Sequence, residues 1–262
     1  MRETMGAYRL LERTGDDRLG EMFRARDTER GRTASVRVIH ARLSGDPSVR
    51  AALAADASKA ARLSHPTIAA LFDVIDLTDG GGELALAHEH VDGKSLGATL
   101  GGTPLNARLA VAIGIQIADG LAELHASDLS HGAVDVDHVV VTPRGQAKLI
   151  DAGLVRWLSP EGSVRTDDIE ALGRLLTTMT GGVLPSAQWA SDLRQVIERT
   201  RPGHVRRFAA AATLAAELRS VGAMLEARAD AAAVAADPGN SFVLWGVLGT
   251  VLLALGAWFL WP

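Results

Sequence analysis

The sequence predicts an α+β protein with two lobes, followed by one transmembrane helix towards the C-terminus. Three observations lead to this class. Strand-like runs between turns fill residues 1–92, helical patterns with one small hairpin fill residues 93–225, and an uncharged apolar run fills residues 242–261. Residues 226–241 are expected to form a linker to that last segment.

The composition excludes several kinds of function. Hydrophobic residues make up 47% of the 262 residues and charged residues 22%, which predicts a packed core rather than disorder. The net charge of -4 argues against a nucleic-acid partner. The chain has no cysteine, so disulfides, thiolate catalysis and cysteine metal sites are excluded, as suits a cytoplasmic domain.

The first lobe is predicted to be a small five-stranded sheet with one helix. The helix covers Asp46 to Leu63, an alanine-rich stretch with Pro47 in its first turn. The strands are the short runs rich in β-branched and apolar residues, bounded by turn-forming residues. They are YRLLER, GEMFRARD, TASVRVIH, TIAALFDVIDL and GELALAHEHV.

The second lobe is predicted to be helical. The stretch NARLAVAIGIQIADGLAELHASD forms a long and largely buried helix, and the strands HVVVT and QAKLID form a hairpin after it. Helices resume at Asp167 and continue, with breaks, to about Glu226.

The uncharged run from Phe242 to Trp261 is predicted to cross a membrane. Twenty helical residues span roughly 30 Å, the thickness of the hydrocarbon core of a bilayer. Arg219 and Arg228 precede the run, which favours a cytoplasmic location for the domain on the inner membrane as a single-pass protein. A buried core helix is the alternative.

From Tyr8 to about Val221, the order of motifs resembles that of the bacterial (Hanks-type) serine/threonine protein kinases. The resemblance implies a two-lobed protein kinase-like fold and an ATP site. In TGDDRLGEMFRARD, Gly15 and Gly20 match the outer positions of the family's glycine-rich loop, and Asp17 replaces the middle glycine. A carboxylate at this position would repel phosphate.

The resemblance also assigns the ATP-facing strand, helix and hinge. Arg37 replaces the lysine that holds the phosphates, and Asp56 replaces its glutamate partner, so an Arg37–Asp56 ion pair is expected, with two solvated charges as the alternative. In LALAHEHVDGKSL, His88 lies at the gatekeeper position, and Glu89 and Val91 lie at the adenine-contacting backbone.

The catalytic segment HGAVDVDH departs most from the family. Ala133 lies at the position of the catalytic aspartate, and His138 at that of the metal-binding asparagine. Asp135 is the nearest substitute base, but it lies where the family has a lysine. In KLIDAGL, Asp151 keeps the metal-holding position and is the one metal ligand that the resemblance assigns.

Three further positions are assigned through the resemblance. Asp168 matches the aspartate that braces the catalytic loop. Glu161, in a remnant of the A-P-E motif, is expected either to pair with Arg207 or to be an ordinary surface acid. The activation segment between Asp151 and Glu161 is shortened. The hydroxyl groups near its end are candidate phosphoacceptors: Ser159, Ser163 and Thr166.

Taken together, these departures predict a membrane-tethered pseudokinase that acts as a signalling scaffold or regulatory binding module. No cofactor is expected, and ATP, with or without Mg²⁺, is the ligand left open. The expected partner is a protein, either an active kinase or an envelope or division complex, and a homodimer is a further alternative. An active kinase with atypical catalytic residues and a non-hydrolysing ATP sensor are the other hypotheses.

Overall fold

The computed structural model describes residues 3–77, 82–158, 167–182 and 188–236. Within them the chain folds into the two expected parts, an antiparallel sheet with helices and a helical part with a small second sheet. The transmembrane prediction for residues 242–261 lies outside the described residues.

The first sheet has six strands, one more than predicted. Its order is β1-β2-β3-β4-β6-β5, and all neighbouring pairs are antiparallel. The additional strand β1 has two residues and pairs with the start of β2, which is too short a run for a periodicity to appear in the sequence. The strands are β1 Thr4–Met5, β2 Tyr8–Asp16, β3 Gly20–Asp27, β4 Thr33–Ile39, β5 Leu71–Leu77 and β6 Glu83–Glu89.

Helix α2, Pro47–Ala60, forms where the sequence predicts a helix and follows the short α1, Ala41–Ser44. The side chain of Asp46 caps it by accepting hydrogen bonds from the amides of Ser48 and Val49, and proline occupies the first turn. The helix packs Leu53 and two alanines against one face of the sheet, where they form a buried cluster with strands β5 and β6.

The helical part is built around α4, Ala107–Ala126, whose apolar side chains are buried in the core of this lobe. Among the described helices, α4 is the one long and apolar enough to cross a membrane by length and composition, and its burial accounts for that composition. The other helices are α3 Leu96–Leu100, α5 Val155–Leu158, α6 Asp168–Met179, α7 Gln188–Glu198 and α8 Ala211–Ala236.

The predicted hairpin is present as β8, Val139–Val141, and β9, Ala147–Leu149. The small sheet also contains a third strand that the sequence did not predict, β7 at Lys94–Ser95, which pairs with β8. This strand lies just after the predicted boundary between the two lobes.

The predicted linker needs a correction. Helix α8 continues to Ala236, so most of the segment 226–241 is helical rather than an irregular connection. Alanine has the highest helix propensity of all residues, and the run ADAAAVAA continues the helix before Pro238 interrupts the sequence pattern.

Candidate functional site

The loop that carries His131, Gly132 and Ala133 is held by one buried carboxylate. Asp168, in the first turn of α6, accepts hydrogen bonds from the amides of His131 (2.9 Å) and Gly132 (2.7 Å) and contacts His125 Nε2 at 2.9 Å. Burial acts to raise the pKa of Asp168, but these hydrogen bonds outweigh it and lower the pKa below its ordinary value. Asp168 therefore braces this loop, the role that the resemblance assigned to it.

His131 fixes the same loop from the other side. The ring is buried, its Nε2 lies 3.0 Å from the carbonyl oxygen of Ile150, and the ring of His138 meets it edge-on at 5.8 Å. Burial lowers the pKa of His131, which favours a neutral ring. Hydrogen bonds therefore fix the position of this loop. The next residue, Ala133, has only a methyl side chain.

The position of the metal-binding asparagine is occupied by an ion pair instead of an amide. His138 Nδ1 lies 2.8 Å from Asp135 Oδ1, and the same oxygen accepts the amides of Asp137 (2.9 Å) and His138 (3.0 Å). The hydrogen bond to Asp135 raises the pKa of His138. The Asp135 carboxylate is therefore engaged in hydrogen bonds within its own turn, which makes it a poor substitute for the missing base.

Arg37 lies at the centre of the site and is clamped between two carboxylates. Its Nη1 contacts Asp151 Oδ1 at 2.6 Å and its Nη2 contacts Asp17 Oδ2 at 3.0 Å, while the side chain is only 2% exposed. Burial acts to raise the pKa of Asp151, but the charge of Arg37 and its hydrogen bond lower that pKa to about 2. We call Asp17, Arg37 and Asp151 the charged triad.

The expected Arg37–Asp56 ion pair is wrong. Both nitrogens at the end of the guanidinium group face the triad carboxylates, and Asp56 Oδ2 instead accepts a hydrogen bond from Trp157 Nε1 at 2.9 Å. Aspartate is one methylene shorter than the family's glutamate, and two closer carboxylates compete for Arg37. Trp157 lies on α5, directly after the Asp151 motif, so sequence spacing gave no sign of this contact.

The turn between β2 and β3 shows how Asp17 replaces a glycine. Asp17 Oδ1 accepts the amides of Leu19 (2.8 Å) and Gly20 (3.0 Å), while its other carboxylate oxygen contacts Arg37. The Asp17 carboxylate therefore binds both kinds of group that would bind a phosphate, namely the turn amides and the cation. Asp17 acts as an internal substitute for a phosphate group.

The two glycines of this segment have different environments. A Cβ added to Gly20 would lie 2.1 Å from the carbonyl oxygen of Val38, so the close approach of β4 requires glycine. A Cβ added to Gly15 would meet no atom within 4 Å. Strand packing, independently of any ligand, thus explains Gly20.

The predicted hinge lines a cavity of about 170 Å³ beside the triad. His88 lines this cavity, and burial together with the charge of Arg37 lowers the pKa of His88 to about 4. Lys148 Nζ contacts the Glu89 carboxylate at 2.7 Å, which ties the hinge to the second lobe. This contact was missed because the partner of Lys148 depends on how the lobes meet.

The remaining assigned residues do not join the site. Arg207 contacts Asp167 Oδ1 at 2.5 Å. Its predicted partner Glu161 lies outside the described residues, as do the phosphoacceptor candidates Ser159, Ser163 and Thr166. Among the residues that the structure describes, no cluster of three or more histidine, aspartate or glutamate side chains could hold a metal ion.

Mg²⁺ and a triphosphate do not fit the residues present. The near oxygen of Asp151 is engaged by Arg37, and His138 offers an imidazole where Mg²⁺ prefers oxygen ligands. Asp17 brings a negative charge to the place of the phosphates. The groups at these three positions therefore differ from those that Mg²⁺ and a phosphate chain prefer.

Comparison with known proteins identifies the family. The family model for protein tyrosine and serine/threonine kinases matches residues 8–172. A probable serine/threonine-protein kinase of Streptomyces coelicolor is 31% identical over 170 residues, which cover 64% of this chain and 25% of that protein. Serine/threonine-protein kinase PknA of Mycobacterium tuberculosis is 30% identical over 187 residues, 70% of this chain and 40% of PknA.

Solved structures agree on the fold. The kinase domain of Mycobacterium tuberculosis PknI superposes with a TM-score of 0.67 at 20% identity, covering 84% of this chain and 99% of that domain. The curated relatives are much longer than the matched segment, which spans only about a quarter of the Streptomyces protein.

Proposed function

Because the chain belongs to the protein tyrosine and serine/threonine kinase family, we propose that it is a pseudokinase that has lost phosphate transfer and acts as a binding module. The observation that carries the proposal is Ala133. The catalytic loop is held by Asp168 and His131 as a working loop would be, yet the residue at the base position cannot accept a proton.

The charged triad supports the same conclusion independently. A kinase needs a cation that can reach the phosphates and a carboxylate that can hold the metal. In this chain Arg37 and Asp151 neutralise each other at 2.6 Å, and Asp17 occupies the remaining side of the guanidinium group. Nucleotide would have to displace a buried ion pair before it could be positioned.

The hypothesis of an active kinase with a displaced base finds little support in this geometry. Asp135 is the carboxylate nearest in sequence to Ala133, but three hydrogen bonds direct one of its oxygens to its own turn and to His138. The raised pKa of His138 favours the imidazolium, which cannot accept a proton.

The binding role and its location are part of the proposal. We infer that residues 242–261 anchor the domain as a single-pass protein of the inner membrane, with the kinase-like domain in the cytoplasm. The partner would be another protein, an active kinase or an envelope or division complex. The uncharged 20-residue run and the packed, two-lobed scaffold support this role.

Phosphate transfer tests the proposal directly. The purified 262-residue chain in mild detergent would be incubated with radiolabelled ATP, Mg²⁺ or Mn²⁺ and a generic protein substrate, beside an active bacterial kinase. We expect incorporation no greater than that of the Asp151→Ala variant. Transfer by the wild-type protein that Asp151→Ala abolishes would instead establish an active kinase.

The partner requires a separate experiment. Crosslinking in intact membranes, followed by mass spectrometry, should recover a kinase or an envelope protein together with this chain. Recovery only of a second copy of the chain would replace the scaffold proposal with a homodimer.

A further inference from the structure

Three exposed arginines lie side by side on strands β2 and β3. Arg9 belongs to β2, and Arg24 and Arg26 belong to β3. Arg9 is directly opposite Arg26 in the antiparallel pair, and Arg24 is two positions along the strand from Arg26. Residues that pair across strands, and residues two positions apart on one strand, share a face of the sheet. The three side chains therefore leave the sheet on one face, and we call them the arginine stripe.

The arginine stripe has no partner within the described part of the chain. None of its three side chains forms an ion pair or a side-chain hydrogen bond there. Other arginines of the same sheet differ, since Arg13 contacts Glu21 and Arg32 contacts Asp27, each at 3.0 Å. Like charges directly opposite each other destabilise a strand pair. The fold therefore bears an electrostatic cost at the arginine stripe that an external anion would relieve.

The neighbours of the arginine stripe on β4 are small and uncharged. Arg24 is in register with Ser35 and Arg26 with Thr33, and both of these side chains are short. Glu12, in register with Arg24 on β2, is exposed and brings one negative charge. The arginine stripe and Glu12 together carry a net charge of +2, although the whole chain carries -4. The stripe is thus a local positive surface on an acidic protein.

The spacing of the arginine stripe matches that of an extended peptide. Side chains on one face of a strand repeat every two residues, or about 7 Å, which separates Arg24 from Arg26. Arg9 and Arg26 are about 5 Å apart across the strand pair. A peptide with carboxylates at alternate positions has the same 7 Å repeat, roughly. One carboxylate can lie between Arg9 and Arg26 and the next at Arg24, where guanidinium groups offer paired donors.

Other anionic surfaces match the arginine stripe less well. Lysine and arginine clusters that hold a protein on anionic lipids usually contain about 4–8 basic residues. Proteins that bind duplex DNA tightly contact roughly 6–10 phosphates. The arginine stripe has three cations with Glu12 beside them. A short acidic segment of a protein is the anion that this number and spacing of cations suits.

We propose that the arginine stripe is an interaction surface for an extended acidic segment of a partner protein, with carboxylates at alternate positions. The inference goes beyond the loss of phosphate transfer, because none of the three arginines belongs to the candidate site. It assigns a second surface and the chemistry of its ligand, and it holds whether or not the chain transfers phosphate.

The test compares two capped peptides of identical composition, each with three glutamates and three threonines. In one peptide the two residue types alternate, and in the other the glutamates are consecutive. Each would be titrated to millimolar concentration into the labelled 262-residue chain in uncharged detergent at low salt, with binding followed by thermophoresis. We expect the alternating peptide to bind at least about threefold more tightly, and more weakly at high salt. Equal binding of both peptides, or binding of neither, would overturn the inference.

Variants test whether the arginine stripe is the binding surface. The combined change Arg9→Gln, Arg24→Gln and Arg26→Gln should weaken binding of the alternating peptide at least about tenfold. Its melting temperature should not fall, because the repulsion between opposite like charges is removed. The matched control is Arg108→Gln, an exposed arginine on α4, which should change the affinity by less than about twofold. An equal loss in the control would show unspecific attraction and contradict the proposal.

Two further ligands separate the proposed partner from other polyanions. Oligothymidylate and vesicles containing phosphatidylglycerol would be titrated under the same conditions. We expect both to bind the wild-type chain and the triple variant alike. Binding of either that exceeds peptide binding and is lost in the triple variant would assign the surface to nucleic acid or membrane and overturn the inference. Phosphate transfer, measured separately, bears on the proposed function and not on this surface.

Discussion

Replacing Asp151 by alanine should destabilise this protein, whereas a metal-holding aspartate in a working kinase would chiefly serve activity. In this fold Asp151 neutralises Arg37, which is 2% exposed. The pKa of Asp151 falls from an ordinary 3.8 to about 2, a difference worth roughly 2 kcal/mol. Removing one partner of a buried ion pair typically costs about 3–5 kcal/mol, but Asp17 remains beside Arg37. We therefore expect a loss of about 2–3 kcal/mol.

Urea unfolding of the 262-residue chain in mild detergent, followed by tryptophan fluorescence, measures this loss. A double variant, Arg37→Met with Asp151→Asn, should recover most of it, because the buried guanidinium group is removed together with its buried carboxylate partner, and asparagine tolerates the φ of 60° at this position. Asp17 is 30% exposed and keeps its hydrogen bonds from the amides of Leu19 and Gly20. Asp16→Ala is the matched control: Asp16 is 44% exposed, so its change should stay within about 1 kcal/mol. A loss below about 0.5 kcal/mol in Asp151→Ala would refute the idea that the triad locks the site.

Acid provides a second measurement of the same contact. The folded-state pKa of Asp151 lies below its unfolded value, so its stabilisation is complete above about pH 4 and is lost as the pH falls through about 2. The difference in unfolding free energy between wild type and Asp151→Ala should shrink across that interval. A constant difference would show that charge on Asp151 is not responsible.

Three further outcomes are expected in the same unfolding assay. Asp168→Ala should cost about 3 kcal/mol or more, because two buried loop amides lose their acceptor; an intact loop at wild-type stability would contradict its bracing role. The pKa of His88 is lowered to about 4, so the wild type should lose stability as the pH falls from about 6.5 to 4, and His88→Leu should reduce that slope, while the lowered pKa of His131 leaves a part of it. Gly20→Ala should cost more than about 2 kcal/mol, because its Cβ would meet the Val38 carbonyl, whereas Gly15→Ala should stay within about 0.5 kcal/mol; equal effects would refute the packing argument.

Much of the fold could be predicted because it depends on local patterns. Helix α2 begins where Asp46 and Pro47 provide a cap and a fixed backbone angle, and α4 follows a long apolar run. The secondary-structure predictions that failed also concerned local features of the sequence. The two-residue strands β1 and β7 are too short to show a period, and the alanine-rich end of α8 was taken for a linker.

For the candidate site, the sequence predicted the identity of the groups but not their partners. The sequence by itself determined which chemical groups are present: Ala133 provides no base, and Asp17 and Arg37 stand where glycine and lysine are expected. Only the tertiary structure decided their partners. Arg37 meets Asp151, 114 positions away, rather than Asp56, because strand β4 and the second lobe bring that carboxylate within 2.6 Å.

The physical reason is that the sequence specifies which residue stands at each position, whereas an ion pair depends on distance, burial and competition among all nearby charges. Asp17 could be recognised in the sequence as a repulsive substitution. That its carboxylate occupies both the turn amides and Arg37, in place of a phosphate, follows only from the packed turn between β2 and β3.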